Sequence, residues 1–105
     1  MNPRIFICLI ACHLTSSVHG DLSVLFLGDQ GHHRPKDRFD QLQPVMAKRG
    51  IDLTYTENVG DLNLPKLRSY DAVALYANID RIEPTQAAAL LTYVQGGGGF
   101  VPLHC

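Results

Sequence analysis

The sequence has none of the features that mark nucleic-acid-binding or membrane-spanning proteins. It carries 9 Lys and Arg residues against 10 Asp and Glu residues, and its formal net charge is −1. No basic cluster is present, so we expect no nucleic-acid partner. No apolar run approaches the roughly 20 residues that a spanning helix needs. With 105 residues, the chain is at most one domain.

Metal and phosphate motifs are also missing from the sequence. There is no His-x3-His and no pair of Cys-x2-Cys motifs, so the usual zinc spacings do not occur. The glycine run at residues 96–99 lacks the Gly-Lys-Ser/Thr ending of a phosphate loop and precedes a predicted strand instead of a helix. We therefore predict neither a cofactor nor a metal site.

The first 20 residues have the pattern of an export signal. Arg4 supplies a positive charge, residues 5–11 form a short apolar core, and small residues precede a cleavage point before Asp21. We predict a signal peptide over residues 1–20 and a mature domain over residues 21–105. The protein is then periplasmic or secreted.

Cysteine is scarce, with three residues in the chain. The segment Leu9–Cys12 is similar to a lipoprotein box, so lipidation of Cys12 is an alternative to simple secretion. If the signal is removed, Cys105 is the only cysteine left, and no internal disulfide can form.

Strand-like and helix-like segments alternate from residue 21 onward. Four segments are predicted as strands: about 22–27, 51–56, 71–76 and 99–103. The first and third are nearly continuous apolar runs, as expected of strands covered on both faces, whereas the second alternates with period two and fits an edge. Helical spacing of apolar residues predicts crossovers over 37–49 and from Pro84 onward.

Prolines and apolar spacing add details to the predicted helices and to the last strand. Pro44 lies within the first helical segment, which is therefore expected to kink or to begin late. Pro102 is expected at the end of the last strand, because proline cannot donate to a sheet ladder. In the second helix one apolar stripe is predicted, formed by Ala87, Leu90, Leu91 and Val94.

Alternation of this kind predicts an α/β fold with a parallel sheet flanked by helices. With the two apolar strands inside and the alternating strand at an edge, the expected strand order is 2-1-3-4. This is the order of a truncated flavodoxin-like three-layer sandwich.

Several chemically active residues follow the predicted strands. In open α/β sheets, ligands bind beyond the carboxyl ends of the strands. The loops after strands one, three and four therefore bring together a set of candidate residues: Asp29, His32, His33, Arg34, Asn78, Asp80, His104 and Cys105. Histidine is suited to such a site because its pKa is close to neutrality.

Simpler interpretations remain open for these residues. Asp29 can cap its own loop, and Asn78 and Asp80 are common in turns. Arg34 lies in a segment that can form a solvated turn, or its guanidinium can clamp an anion. Adjacent histidines do not easily share one direction, so at most one of His32 and His33 is expected in the site.

The sequence resembles the ThuA-like (trehalose-utilisation) family over about residues 22–105. The most distinctive part is the end of a helix with Tyr-Val, a glycine run, Phe-Val and a histidine. The motifs that carry the resemblance are Phe26–Gly28 with Gly31–Arg34, Tyr70–Val73, Asn78–Glu83, and Gln86 to His104. The match would be the N-terminal half of the family's domain, so we expect a partial domain.

The resemblance implies a fold like that of class I glutamine amidotransferases, in a family that generally lacks their Cys-His-Glu triad. His33 matches the family histidine after the first strand, and His104 matches the histidine after the glycine-rich strand. Cys105 and Pro102 depart from the family pattern. The family is linked to sugar use, and exported members often accompany dehydrogenases or haem-containing proteins.

Three functional hypotheses follow from these residues and from the resemblance. The first is an exported domain that handles a sugar or sugar derivative, with His33 and His104 as catalytic or polar groups and with Asp29, Arg34, Asn78 and Asp80 in substrate binding. The second is a non-catalytic module that binds a ligand or partner. The third is an amidotransferase with Cys105 as nucleophile, which we rank last.

Overall fold

A computed structural model describes residues 21–104 of the chain. The predicted signal peptide, Cys12 and Cys105 lie outside the described residues. The elements occur in this order: β1 (Leu22–Leu27), α1 (Pro35–Ala47), β2 (Ile51–Thr56), a 3₁₀ turn (Val59–Asp61), α2 (Leu64–Leu67), β3 (Ala72–Leu75), α3 (Pro84–Gln95) and β4 (Gly99–Pro102). No helix in this part of the chain is long and apolar enough to cross a membrane.

The four strands form one parallel sheet in the order β2-β1-β3-β4. This order confirms the predicted α/β fold class. The apolar strand β1 is central and pairs with β2 along its whole length, from Leu22 opposite Ile51 to Leu27 opposite Thr56. The alternating strand β2 is at the edge, as its period-two pattern predicts.

Each face of the sheet buries its own set of side chains, because successive residues of a strand point to opposite faces. On one face, a core cluster joins the sheet to α2 and α3; it comprises Leu25, Leu27, Leu62, Leu67, Val73 and Tyr93. On the other face, Phe26 packs against Phe39 of α1, with their ring centroids 5.7 Å apart. The helices thus cover both faces and form the outer layers of the sandwich.

Helix α1 begins earlier than the late start that the sequence offered as one alternative. The late start suggested by Pro44 is wrong, because the helix runs from Pro35 through Pro44 to Ala47. Proline is well suited to the first helical position, which favours the start at Pro35. Pro44 is exposed, and its missing N–H removes only one helical hydrogen bond. Gly50 follows the helix with a positive φ of 80°.

The buried face of α3 differs in part from the predicted stripe. Leu90 packs against the core as expected, but Leu91 and Val94 are 59% and 40% exposed. The residue that anchors the helix is instead Tyr93, which is 6% exposed. Its hydroxyl donates a 2.7 Å hydrogen bond to the carbonyl oxygen of Tyr70, and this bond ties α3 to the segment before β3.

Strand β4 has an open outer edge within the described residues, since it pairs only with β3. Pro102 is its last residue, as predicted. The side chains of Phe100 and Val101 are 38% and 48% exposed on the two faces of the sheet. Just beyond the strand, the backbone N–H of Leu103 donates to the carbonyl oxygen of Leu75 at 2.8 Å.

Candidate functional site

The loops that follow β1 and β3 are joined at the carboxyl edge of the sheet, the edge at which all four parallel strands end. The joining group is the Asp29 carboxylate. Its Oδ1 accepts a 2.8 Å hydrogen bond from the Gly31 backbone N–H, and its Oδ2 accepts a 2.7 Å bond from the Asn78 backbone N–H. Hydrogen bonds to an ionised acceptor are the stronger kind. Asp29 therefore orders both loops, as the capping interpretation predicts.

His33 lies on the loop between β1 and α1 and is half-buried, whereas its neighbour His32 is exposed. The two rings are 4.1 Å apart, and the His33 ring is 6.2 Å from the ring of Tyr76, which follows β3. The structure therefore places one imidazole of the pair against the sheet and leaves the other in solvent.

His104 follows β4 directly and is exposed at the same carboxyl edge. The hydrogen bond from Leu103 to Leu75 keeps the chain paired with β3 up to the residue before it. Both predicted histidines are thus at the carboxyl edge, on loops that flank β3.

The Arg34 guanidinium is paired with a carboxylate of α1, the helix that begins at the next residue. Arg34 has left-handed backbone angles, φ 56° and ψ 62°, directly before α1. Its guanidinium forms a 2.6 Å ion pair with Asp37, and the Arg34 side chain is 72% exposed. The anion clamp predicted as one role of Arg34 would have to compete with this partner.

The structure separates Asp80 from the other predicted binding residues. Asp80 and Arg81 lie at an apolar pocket of about 270 Å³, which is lined mainly by apolar side chains such as Leu27, Leu75 and Phe100. Asn78 contributes its backbone N–H to Asp29, and the residue is exposed. The predicted residues are therefore at one edge of the sheet but not in one cavity.

A polar cleft of about 280 Å³ lies beside the loop after β1. Its lining residues come from this loop, the start of α1 and the end of β2: Asp29, Gln30, Gly31, Arg34, Lys36, Asp37 and Glu57. The lining contains one more carboxylate than cationic groups. Such a surface offers many hydrogen-bond acceptors to a polar ligand.

Glu57 is the cleft residue that the sequence-based prediction missed. Its Oε2 accepts a 2.7 Å hydrogen bond from the Tyr55 hydroxyl, and its Oε1 accepts a 2.5 Å bond from Gln30 Nε2. Glu57 directly follows β2, so the rule that sites lie beyond the carboxyl ends of strands could have found it. The prediction omitted it because it drew only on the loops after the first, third and fourth strands.

The Tyr55 ring is held in an aromatic cluster on the α1 face. Its centroid is 6.0 Å from that of Phe26 and 5.3 Å from that of Phe39. The Lys36 ammonium lies 5.2 Å and 5.6 Å from the Phe39 and Tyr55 centroids, within cation–π range. The Tyr55 phenol, which donates to Glu57, is therefore held by contacts with Phe26, Phe39 and Lys36.

The Tyr55–Glu57 hydrogen bond shifts both titrations. Burial, and then the bond to Glu57, raise the pKa of the Tyr55 phenol above its ordinary value of 10.0. The bond from Tyr55, and then the bond from Gln30, lower the pKa of Glu57 below its ordinary value of 4.5. Both shifts favour the same pair, a neutral phenol and a charged carboxylate.

We expect the substitution Tyr55→Phe to raise the pKa of Glu57 toward 4.5, because it removes the first cause of the lowering. In the wild-type chain, the stabilisation from this bond is present above the unfolded-state pKa and disappears as the pH falls through the lower folded-state value. NMR titration of the Glu57 side-chain carboxyl carbon measures the shift. Tyr70→Phe, at the opposite edge, is the control, and an unchanged Glu57 titration in Tyr55→Phe would contradict the prediction.

Residues 21–104 contain no group of three or more His, Cys, Asp or Glu side chains placed to hold a metal ion. For the two candidate histidines, the roles predicted from the sequence are proton transfer and hydrogen bonding. A neutral imidazole can donate from one nitrogen and accept at the other, which suits contact with hydroxyl groups.

A solved protein with a similar fold is a ThuA-like protein from Bacteroides uniformis ATCC 8492, with a TM-score of 0.69 and 17% sequence identity. The match covers 84% of this chain and 38% of the solved chain, so this chain spans well under half of that protein's length. No curated protein matches the sequence. A family model for ThuA, described as trehalose utilisation, matches residues 23–105. Because that model covers most of the sequence, the chain belongs to the ThuA family.

Proposed function

We propose that this chain is the sugar-binding part of an exported ThuA domain and that it takes a carbohydrate ligand at the carboxyl edge of its sheet. The observation that carries the proposal is the joining of the loops at this edge. Asp29 ties the loop that bears His33 to the loop after β3, and the polar cleft opens beside the same carboxylate. The family's description, trehalose utilisation, suggests the class of ligand.

The polar cleft suits a carbohydrate because its side chains include both hydrogen-bond acceptors and hydrogen-bond donors. Carboxylate oxygens accept bonds from sugar hydroxyls, and the amide of Gln30 can both donate and accept. A cleft of about 280 Å³ is close to the lower end of the range usual for small-ligand sites. In this proposal, His33 and His104 contact the ligand from the side of β3 and supply or accept protons there.

A titration of the full chain with trehalose tests the proposal, with binding followed by amide NMR shifts. We expect His104→Ala and His33→Ala each to weaken binding about tenfold, the loss of one good ligand hydrogen bond. Gln95→Ala, at the far end of α3, is the control and should bind as the wild type does. Unchanged affinity in His104→Ala would remove that residue from the site.

A second candidate is binding without turnover. It is favoured because, among residues 21–104, neither the His33 ring nor the His104 ring shares a hydrogen bond with a carboxylate or hydroxyl, and catalytic imidazoles are normally oriented by such a partner. Trehalose recovered intact after long incubation would support this candidate, and any product would exclude it. Export and an association with dehydrogenases or haem-containing proteins remain parts of the proposal, drawn from the resemblance.

A further inference from the structure

We infer that the polar cleft selects uncharged sugars over phosphorylated or carboxylated ones, with Glu57 as the group that binds the sugar hydroxyls. This inference rests on the proposed function, since it specifies the ligand class of the same site. It adds a residue and a direction of selectivity that follow from the charges and hydrogen bonds of the cleft.

Both cations of the cleft already have carboxylate partners on α1. Arg34 is paired with Asp37 at 2.6 Å. The Lys36 ammonium is bonded to Asp40, one helical turn along α1, and also faces the aromatic rings of the cluster. A phosphate or carboxylate of a ligand would therefore have to compete with Asp37 or Asp40 for either cation.

Two carboxylates of the cleft have no cation among the hydrogen-bond partners that the described residues give them. Asp29 is bonded to two backbone N–H groups, and Glu57 is bonded to a phenol and an amide. These four donors are all neutral, so both negative charges remain. An anionic sugar entering the cleft would meet like charge, whereas a neutral sugar would meet free acceptor lone pairs.

Glu57 is held in place before a ligand arrives. Its partner Tyr55 packs against both Phe26 and Phe39, and Gln30 holds the second carboxylate oxygen. Each oxygen of an ionised carboxylate has room for two bonds and here uses one, so each can accept a further bond from a vicinal pair of hydroxyls. A fixed acceptor loses little conformational entropy when it binds.

The size of the selectivity is limited by exposure. Glu57 is on the surface, where solvent and salt screen charge, so we expect a preference of about tenfold at low ionic strength and a smaller one at high salt. Salt should leave the hydrogen-bonding part of the affinity for a neutral sugar nearly unchanged.

The experiment compares trehalose with trehalose 6-phosphate, which differ in the phosphate alone, on the full chain by isothermal titration at low and high salt. We expect the wild type to prefer trehalose. Glu57→Gln should weaken trehalose binding about tenfold and shrink the difference between the two sugars. Asp21→Asn removes the same charge at the opposite edge of the sheet and should change neither affinity.

The outcomes separate this inference from the proposal on which it rests. Binding of trehalose that depends on His104 but not on Glu57, or equal or tighter binding of the phosphate by the wild type, overturns the inference and leaves the proposed function standing. Binding of neither sugar by a chain with native circular dichroism overturns both. A preference for trehalose that persists unchanged at high salt also overturns the inference, because charge repulsion in the cleft would then not be its cause.

Discussion

Replacing Phe26 with alanine is expected to lower the free energy of unfolding by about 3–5 kcal/mol, the usual cost of truncating a buried phenylalanine. Phe26 is 2% exposed and lies in the central strand β1. Its ring contacts Phe39, Tyr55 and Tyr76, with centroid distances of 5.7, 6.0 and 6.4 Å. The substitution would leave a cavity at the point where α1, β2 and β3 meet.

The same change should also disturb the polar cleft, because Tyr55 would lose one of the rings that position its hydroxyl beside Glu57. Chemical denaturation followed by circular dichroism measures the stability, and the Glu57 titration measures the local effect. Phe100→Ala removes the same atoms from a 38% exposed position and serves as the matched control. Similar losses of stability in the two variants would show that the aromatic cluster is not the core of this face.

Gly98→Ala is expected to cost about 2–4 kcal/mol of stability, from overpacking together with loss of a buried hydrogen bond. A Cβ atom at this position would lie 2.4 Å from Cε2 and Cζ of the Tyr93 ring. The ring cannot withdraw easily, because it is buried and its hydroxyl is bonded to the Tyr70 carbonyl. Relief of the clash would therefore break that bond or shift the end of α3.

Gly96→Ala is the control for this prediction. A Cβ at residue 96 would be 3.4 Å from the Thr92 carbonyl oxygen and 3.6 Å from that of Tyr93. These are close to ordinary van der Waals contacts, and the φ of −83° suits alanine. Thermal unfolding of the two variants compares them directly. If Gly98→Ala unfolds at the same temperature as Gly96→Ala, the close packing of Tyr93 on the glycine run does not contribute to stability as described.

The two variants probe opposite faces of the sheet, and their consequences for the site should differ. Phe26 supports Tyr55 and thus the polar cleft at the carboxyl edge. Gly98 lies at the amino edge, where β4 begins, and the length of the strands separates it from the site. We expect local changes at Glu57 in the first variant and mainly a global loss of stability in the second.

The strand prediction succeeded where the physical signal was local. The nearly continuous apolar run at 22–27 requires cover on both faces, and β1 has these same bounds inside the sheet. The alternation at 51–56 requires one solvated face, and β2 is an edge strand. Burial needs of this kind follow from side-chain chemistry and hold whatever the rest of the chain does.

The helix details show where local reasoning was insufficient. The apolar spacing of α3 allowed two faces, one with Leu91 and Val94 and one with Ala89 and Tyr93. The choice between them depends on the Tyr70 carbonyl and on the space beside Gly98. The Tyr70 carbonyl is distant in sequence from the helix, and Gly98 lies beyond its end, so no pattern within the helix could indicate them.

The candidate site was also predictable only in part. The carboxyl edge was predictable, because parallel strands end together and the residues after them converge. The division of that edge into separate cavities was not predictable. Asp80 lines an apolar pocket, whereas Asp29 lines the polar cleft with Glu57. Which strand-end residues share a cavity depends on how the connecting loops fold over the sheet.

By itself, the sequence determined the α/β class, the four parallel strands and their order, because these depend on hydrophobic pattern and on short crossover connections. Only the tertiary structure decided which charges are neutralised. Arg34 and Lys36 are paired along α1, while Glu57 is bonded to Tyr55 and Gln30 and keeps its charge. The reason is that pairing between charges and hydrogen-bonding groups depends on distances of a few ångströms between side chains from separate elements, and these distances exist only in the folded chain.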